Sequence, residues 1–324
     1  MSATFDLLVV GDANPDVVLH GAPERLAYGQ AEQLVEGGAL TVGGSAAIMA
    51  CAAARLGLRT AFAGLVGGDA AGRFMLDELG RRGVDVSGVG VRDDLATGLT
   101  VALARGDDRA IVTFAGCVDA LTAEVVDDRL VSGARHVHVS SFYLQARLAA
   151  GLRGLFEAAR AAGAGTSLDL NWDPAEGWDG GLSEVLPVVD VLFVNGAEAA
   201  AVSGVADPVV AAAVLAARGP LPVIKLGAAG ALAHDGCRLV RVSAPAVTVV
   251  DTVGAGDTFD AGFLCGRLLG YEVSRCLALG VACGSLSARG AGGVAAQPTL
   301  EEARAAVEGL APRLGDVVRP EGAP

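Results

Sequence analysis

Short apolar runs that end at glycine or polar residues recur along this chain. The first run, residues 5–10, is rich in leucine and valine and stops at Gly11, which is typical of a buried β-strand. Similar runs follow at intervals, at 59–65, 136–140, 166–170, 189–194 and 222–226. Segments rich in Ala, Leu and Arg lie between them, such as 147–162 and 207–218. This alternation predicts an α/β fold, a mainly parallel doubly wound sheet with helices on both faces, within one domain over 1–324.

Two regions do not fit the alternation of strand and helix. Residues 17–20 and 34–35 are short candidate strands. Later, 97–103 alternates apolar and polar positions, a turn is expected at Gly106-Asp107-Asp108, and 110–114 resumes the alternation as a hairpin would. The segments from about 17–42 and 97–115 therefore predict a small β-sheet that forms a lid over the strand ends.

The chain has 324 residues, and 52% of them are hydrophobic while only 4% are aromatic. A sizeable core is therefore expected, built mainly from Ala, Val and Leu. The formal net charge is −13 and no basic run is present, which argues against a nucleic-acid partner. The six cysteines are scattered without a C-x-x-C pair, as expected for buried thiols in a reducing compartment.

No stretch of the sequence indicates a membrane or an export signal. Charged residues interrupt every apolar run, and the first residues lead directly into the predicted first strand. We therefore expect a soluble, cytoplasmic protein with no membrane partner.

The segment 250–259 carries the most specific chemical pattern. Gly254 and Gly256 allow a tight turn at the start of an apolar, helix-like segment, where unpaired amides favour an anion. Asp257 stands in the first turn of that helix, where a carboxylate suits the removal of a proton beside developing phosphate charge. On spacing alone, a plain turn followed by a helix-start acid remains an alternative.

Two signatures resemble those of the ribokinase-like (PfkB) carbohydrate kinases. The first is Asp-Thr-x-Gly-Ala-Gly-Asp-x-Phe at 251–259, and the second comprises Gly43-Gly44, Ala-Arg-Leu-Gly at 54–57 and Gly-x-Asp-x-x-Gly at 67–72. The resemblance covers the chain from Gly11 to about Pro298. It implies that Asp257 is the catalytic base and that Gly254, Ala255 and Gly256 form the anion hole for the transferring phosphoryl group.

The same resemblance implies an acceptor site near the first strand. Asp16 follows that strand where the family has a sugar-binding Asp, and Asn14 lies beside it, although a turn is an alternative for this loop. The Gly43-Gly44 backbone is expected to lie against the acceptor. Ile48 stands where the family usually has Asn, and an apolar side chain there predicts an acceptor that lacks a hydroxyl at that point.

Nucleotide-binding residues are expected further along the chain. Asn195 and Glu198 resemble the family's Asn-x-x-Glu element, which works near Mg²⁺ and the phosphates, although Asn and Glu are also favoured at helix starts. Lys225 is the only lysine in the chain and stands at a strand end before Gly227 and Gly230. A compact ammonium in that position predicts a contact with a nucleotide phosphate.

Two further polar groups leave alternatives open. His136 and His138 alternate on one predicted strand and could share a metal, but hydrogen-bonded strand residues are the favoured interpretation because no third ligand stands near in sequence. Asp169 and Asn171 end another strand, where a turn and a contact with phosphate or metal are equally favoured.

The resemblance implies ATP and Mg²⁺ as cofactors, a K⁺ site at Asp251, and a homodimer formed through the lid. The predicted reaction is transfer of the γ-phosphoryl group to a hydroxyl of a small sugar or sugar acid. A nucleoside kinase of the same fold is the alternative, and a non-catalytic relative is disfavoured because Asp257 is retained. A Walker P-loop and a Rossmann dinucleotide motif are both absent from the sequence.

Overall fold

The first strand, β1 (Leu7–Val10), separates two apolar layers. The computed structural model describes residues 3–105, 108–235 and 237–310. Leu7 and Val9 belong to one cluster of buried side chains, whereas Leu8 and Val10 belong to a second cluster on the other face. A strand that is apolar at every position is therefore explained by burial on both faces of its sheet.

β1 lies inside a nine-stranded sheet whose order is β13-β12-β11-β10-β9-β8-β1-β4-β5. Seven of these strands are parallel, and β12 and β13 are added at one edge as antiparallel strands. The other strands of this sheet are β4 (Thr60–Gly67), β5 (Asp85–Arg92), β8 (His136–Val139), β9 (Gly165–Asp169), β10 (Val191–Asn195), β11 (Leu221–Lys225), β12 (Ala231–His234) and β13 (Leu239–Val242).

Helices cover both faces of this sheet. One layer contains α1 (Ser45–Arg55), α2 (Ala70–Arg81), α8 (Ala255–Leu268), α9 (Val273–Ser287) and α10 (Leu300–Leu310). The other contains α3 (Asp128–Ser132), α4 (Ala146–Ala161), α5 (Leu182–Val185), α6 (Gly196–Ser203) and α7 (Pro208–Ala216). The predicted fold class, a mainly parallel doubly wound α/β sheet with a smaller second sheet, is confirmed.

The second sheet has four strands in the order β3-β2-β6-β7. They are β2 (Asn14–His20), β3 (Gly37–Gly43), β6 (Leu99–Arg105) and β7 (Asp108–Phe114). The hairpin predicted from the alternation in 97–114 is present as the antiparallel pair of β6 and β7. The predicted turn residues Gly106 and Asp107 lie outside the described part of the chain.

The strand predicted at 34–35 was wrong. The partner of β2 is β3, which begins at Gly37, and Leu34 lies in irregular chain with 88% of its surface exposed. Pairing with β2 sets this register, from His20 opposite Gly37 to Asn14 opposite Gly43. A strand that contains three glycines has low intrinsic β-propensity, so local sequence could not reveal it.

All six cysteines are free thiols, and Cys237 is the exposed one while the others are buried. Within the described ranges, no single helix is long and apolar enough to cross a membrane. The bent pair α6 and α7, joined at 56°, meets the length and composition criteria only when the two helices are taken together.

Candidate active site

The signature segment 251–259 forms the loop and first turn of α8 at the carboxyl edge of the large sheet. Gly254 is the residue that precedes the helix, and its φ of +70° is a left-handed conformation that glycine adopts without strain. A Cβ atom there would approach the Gly293 backbone to 2.7 Å and Ile48 Cγ2 to 2.9 Å. The Ala255 amide donates to the Thr252 carbonyl at 3.2 Å, and the Gly256 amide lies in the first turn of the helix, which is a favourable place for an anion.

Asp257 lies in this first turn and is buried, with 9% of its surface exposed. Burial and the nearby Asp169 carboxylate raise its pKa to about 7, while Lys225 and a hydrogen bond from Ser45 oppose the increase. The Ser45 hydroxyl in turn accepts a hydrogen bond from Asn171 Nδ2 at 2.7 Å. Asp257 is therefore an oriented carboxyl group that titrates near neutral pH, which suits a general base.

Lys225, the only lysine in the chain, ends β11 directly beneath the start of α8. Its Nζ lies 2.8 Å from Asp169 Oδ2 and 3.1 Å from Asp260 Oδ2. A Cβ atom on Gly256 would lie 3.4 Å from the same Nζ. The ammonium is therefore bonded to two buried carboxyl groups and also lies against the backbone of the predicted anion hole.

The predicted acceptor residues lie where β2, β3 and α1 meet. Asn14 Nδ2 donates to Asp16 Oδ1 at 3.3 Å and to Thr100 Oγ1 at 3.0 Å. Gly43, the last residue of β3, packs so closely on Asp16 that any Cβ atom would overlap the carboxylate. Gly44 has φ +79° and would collide with the Asp12 carbonyl if it carried a side chain. The structure thus brings Asn14, Asp16, Gly43 and Gly44 together.

Asp12 is a residue that sequence reasoning did not single out. Its carboxylate accepts hydrogen bonds from the amides of Ser45, at 3.1 Å, and Ala46, at 3.0 Å, and so closes the start of α1. Its pKa is raised by burial despite these bonds and one from Ser141. Asp12 therefore fixes the position of Ser45, which holds Asp257.

Ile48 lies one turn into α1, and only 3% of its surface is exposed. Its side chain packs against the backbone of Gly254 and Gly293, where a Cβ atom on Gly293 would approach Ile48 Cδ1 to 2.6 Å. The residue supports the loop of the predicted anion hole from behind. Its predicted effect on acceptor choice remains a prediction.

Asp251 joins the signature segment to the glycine-rich loop that follows α9. Its carboxylate oxygens accept hydrogen bonds from the amides of Val253 and Gly292, each at 2.9 Å. Asp251 thereby holds the loop at Gly292 against the signature segment.

Asn195 and Glu198 form a reciprocal cap at the start of α6. The Asn195 side chain accepts from the Glu198 amide at 2.9 Å, and Glu198 Oε2 accepts from the Asn195 amide at 2.8 Å. Burial and Asp169 raise the pKa of Glu198 to about 7. The capping role that sequence left as an alternative is therefore present, at the edge of the sheet that also holds Lys225.

Gly227 and Gly230 shape the turn between β11 and β12. Both have positive φ, +56° and +92°, and a Cβ atom on Gly230 would collide with the Ser243 Cα at 2.8 Å. These two glycines keep the chain close to the end of β11, so the turn begins two residues after Lys225.

The two strand histidines are buried and hydrogen-bonded. Ser167 Oγ lies 2.8 Å from both His136 Nε2 and His138 Nδ1, and Ser140 Oγ lies 2.8 Å from His138 Nε2. Burial lowers the pKa of His136 to about 3 and that of His138 to about 4, so both are neutral. Within the described ranges, no group of three or more His, Cys, Asp or Glu residues is arranged to hold a metal ion. The interpretation favoured from the sequence agrees with this geometry.

The chain is similar in sequence and in structure to known carbohydrate kinases. The family model described as pfkB family carbohydrate kinase matches residues 4–300. An ATP-dependent ribose-1-phosphate kinase from Halopiger xanaduensis is 31% identical over 306 residues, which cover 91% of this chain and 95% of that protein. A ribokinase from Haemophilus influenzae is 29% identical over 308 residues, covering 91% and 96%. The structure of Arabidopsis thaliana ribokinase complexed with ribose and ATP matches with a TM-score of 0.80 at 26% identity, covering 95% and 99%.

Proposed function

The chain belongs to the pfkB family of carbohydrate kinases, and we propose that it transfers the γ-phosphoryl group of ATP to one hydroxyl of a small sugar. In that reaction the acceptor oxygen forms a bond to the γ-phosphorus, the bond from that phosphorus to the bridging oxygen of ADP breaks, and the hydroxyl proton passes to the enzyme. Attacking and leaving groups lie roughly in line, so positioning and charge stabilisation supply most of the catalysis.

Asp257 is the proposed catalytic base, and its environment is the observation that carries the proposal. The carboxyl is buried at the start of α8, is bonded by Ser45, and has a pKa of about 7. A base that titrates near the working pH combines a useful ionised fraction with a strong tendency to take the proton. An ordinary surface Asp at a helix start would have neither burial nor this raised pKa.

The backbone of Gly254, Ala255 and Gly256 is the proposed anion hole. These residues lie at a helix start, where the Gly256 amide belongs to the first turn, and Lys225 Nζ lies beneath Gly256. Preorganised donors aimed at developing negative charge are often the largest catalytic contribution in such sites. The ammonium adds a positive charge at the same point, which supports the predicted proximity of Lys225 to the phosphates.

The acceptor would be held by the groups that surround Gly43 and Gly44. Asn14 and Asp16 are 5% and 8% exposed, and the Asn14 amide nitrogen is held by Asp16 and Thr100, so the side-chain oxygens of the pair would be fixed acceptors for sugar hydroxyls. The tight glycine backbone leaves room for a ligand to approach closely. Ile48 supports this region from behind the anion hole.

Asn195, Glu198, Gly227 and Gly230 would form the nucleotide side of the site. Mg²⁺ prefers octahedral oxygen ligands and usually keeps several waters, with one or two carboxylates and the substrate phosphates. This donor set fits that chemistry, because Glu198 supplies one buried carboxylate and both its oxygens are already bonded to Asn195, so the ion would be reached through water. When bound, the ion neutralises phosphate charge.

The remaining assignments concern a second cation, assembly and location. Asp251 and the loop at Gly292 would provide carboxylate and carbonyl oxygens for K⁺. A homodimer would form through the small sheet, where Leu40, Ile111, Val112 and Phe114 are each more than half exposed. A cytoplasmic location fits the free, mostly buried cysteines.

The experiment is an acceptor panel with Mg²⁺ and ATP, run on the wild type and on Asp257→Asn. The panel contains D-ribose, D-fructose, ribose-1-phosphate, 2-dehydro-3-deoxygluconate and adenosine. Asp257→Asn should lower kcat by about 10²–10⁴ while ATP still binds in calorimetry. Asp77→Asn, at an exposed position on α2, is the matched control and should keep the wild-type rate. Retention of more than a tenth of the wild-type rate by Asp257→Asn would remove the base assignment.

A further inference from the structure

The two tryptophans of the chain, Trp172 and Trp178, lie on one loop at the carboxyl end of β9. Trp172 has 52% of its surface exposed, although it is among the largest apolar side chains in a protein with only 4% aromatic residues. Packing within the fold does not explain why the Trp172 side chain is half exposed. An exposed indole beside a buried polar site is a frequent feature of ligand recognition, because the ring has an apolar face and a rigid shape.

Hydrogen bonds tie this loop to the acceptor side of the site. Asn171, the residue before Trp172, donates to Ser45 Oγ at 2.7 Å and to Ser141 Oγ at 3.0 Å. Ser45 is the residue that follows Gly44 and donates to Asp257. Trp172 therefore follows Asn171 directly in sequence, and Asn171 is linked to the proposed base Asp257 through Ser45.

A row of aromatic rings that starts in the core packs against Trp172 and supports it. Trp178 meets Trp172 edge to face, with centroids 4.9 Å apart, and Tyr143 meets Trp178 at 5.7 Å. Phe142 lies 5.1 Å from Tyr143 and is 2% exposed. The row thus begins in the core after β8 and ends at the half-exposed Trp172. In the large sheet, β8 lies on one side of β9, next to β1 and the proposed acceptor residues, and β10 lies on the other side, with the proposed nucleotide residues. The aromatic row extends from the end of β8 and so lies on the acceptor side.

The loop is held in a defined shape. Asp173, which is 6% exposed, accepts hydrogen bonds from the amides of Ala175 at 2.9 Å and Trp178 at 2.7 Å. Asn171 and Trp178 have positive φ values of 58° and 56°, and such conformations persist only where the surroundings maintain them. The indole of Trp172 is accordingly presented by a rigid support.

We propose that Trp172 forms an apolar wall of the acceptor site and selects acceptors that present a carbon-bound or planar face to it. This inference rests on the proposed function. Asn14 and Asp16 would bind hydroxyls on one side of the acceptor, and the indole would cover a face without hydroxyls on the other. Two kinds of acceptor have such a face, a sugar ring with its axial hydrogens and a nucleoside with its base.

The first test uses tryptophan fluorescence. Trp178→Phe leaves Trp172 as the sole tryptophan and keeps a ring against Tyr143. Its emission should change saturably when the panel acceptor with the highest kcat/KM is added without nucleotide, with a midpoint near that acceptor's KM. Titration with ribose and with adenosine in parallel distinguishes a sugar face from a base. A response to Mg²⁺ and ATP alone, with none to the acceptor, would overturn the proposal.

The second test is kinetic. Trp172→Ala should raise the acceptor KM by about tenfold, because roughly half an indole of apolar contact is lost, and should leave the ATP KM within about twofold. Trp172→Phe should recover most of the loss. Leu269→Ala, which truncates a 43% exposed apolar side chain at the opposite end of α8 from Asp257, is the matched control and should keep the acceptor KM within about twofold.

Thermal melting of each variant checks that the fold is intact. An unchanged acceptor KM in a folded Trp172→Ala enzyme would overturn the inference while leaving the proposed kinase function in place. Absence of turnover with every panel acceptor in the wild type would instead contradict the proposed function.

Discussion

The ammonium of Lys225 lies 3.1 Å from Asp260, which stands one helical turn beyond Asp257 on α8. The second carboxylate bonded to it, that of Asp169, is 2.8 Å away. Both carboxyl groups are almost fully buried, and among the described residues Asp260 Oδ1 has no hydrogen-bond partner. The lysine that sequence reasoning assigned to a phosphate is therefore also the counter-ion of Asp169, and it is bonded to Asp260, whose pKa is raised by burial. A compact ammonium suits this enclosed position better than a planar guanidinium would.

Replacing Lys225 by Met should therefore change both stability and nucleotide binding. Loss of the ammonium leaves the two carboxyl groups without a cation, and breaking a buried pair in this way costs about 3–5 kcal/mol in the free energy of unfolding. The triple variant Lys225→Met/Asp169→Asn/Asp260→Asn should lose less, because no buried charge remains. Urea denaturation measures both. If the single variant is as stable as the wild type, the ammonium does not neutralise the pair.

The same lysine variant tests the predicted nucleotide contact. Lys225→Met should raise the KM for ATP far more than the KM for the acceptor, because the ammonium lies beneath the amides proposed to hold the γ-phosphate. Initial-rate kinetics with either substrate varied provide the comparison. Equal effects on the two KM values would separate Lys225 from the nucleotide site.

Activity should fall on the acid side of about pH 7. The base must be ionised, and burial, Asp169 and Asp12 raise the pKa of Asp257 to about 7 against the opposing effects of Lys225 and Ser45. The plot of kcat/KM should therefore lose about tenfold per pH unit below that value. Glu198 also has a pKa of about 7, so Glu198→Gln is the control and should keep the acid limb. If the acid limb of the profile disappears in Glu198→Gln, the titrating group is Glu198 rather than Asp257.

The raised pKa of Asp257 should also make the free energy of unfolding smaller as pH rises. Its pKa is about 7 in the folded protein and 3.8 ordinarily, so between these values the folded state keeps a proton that the unfolded chain has released. The contribution is thus fully present below about pH 4 and is lost as pH rises through 7. The Asn in Asp257→Asn does not ionise, so this variant avoids the decrease in the free energy of unfolding. It should be more stable than the wild type by about 1–3 kcal/mol at pH 8, with little difference at pH 4. Equal melting temperatures at pH 8 would contradict the raised pKa.

Gly43→Ala should disable the acceptor side of the site. A Cβ atom at Gly43 overlaps the Asp16 carboxylate, so either the side chain or the end of β3 must shift. We expect the acceptor KM to rise by at least about tenfold with the ATP KM unchanged, since a displaced polar group leaves hydroxyls without partners. Gly154→Ala, on the exposed face of α4 where nothing lies within 4 Å, is the matched control and should stabilise slightly. A Gly43→Ala enzyme with normal acceptor kinetics would exclude Asp16 from the site.

Ile48→Asn tests whether this position influences the choice of acceptor. The variant places a polar amide in the apolar contact with Gly254 and Gly293, so a loss of about 1–3 kcal/mol in stability is expected. If the position also faces the acceptor, kcat/KM for ribose should improve relative to the best panel substrate. A preference for ribose in the wild type, or an unchanged ratio in the variant, would limit Ile48 to packing.

Local sequence determined six of the nine strands of the main sheet and the glycine turn before α8. Apolar runs such as β1 are encoded by their own residues because both faces of a central strand are buried, and Gly254 is required by a backbone conformation that other residues adopt with strain. Gly44, with φ +79°, is required in the same way. These features need no knowledge of distant residues.

Tertiary structure decided what each polar group contacts. Lys225 could be noticed as unique, but its bonds to Asp169 and Asp260 join residues that are 56 and 35 positions away. Strand β3, rich in glycine, forms because β2 pairs with it, and Ile48 is buried because the loop after α9 returns to cover it. Asp12 and Trp172 likewise acquire their significance from neighbours that only the folded chain brings together, because hydrogen bonding and burial depend on distance in space rather than along the sequence.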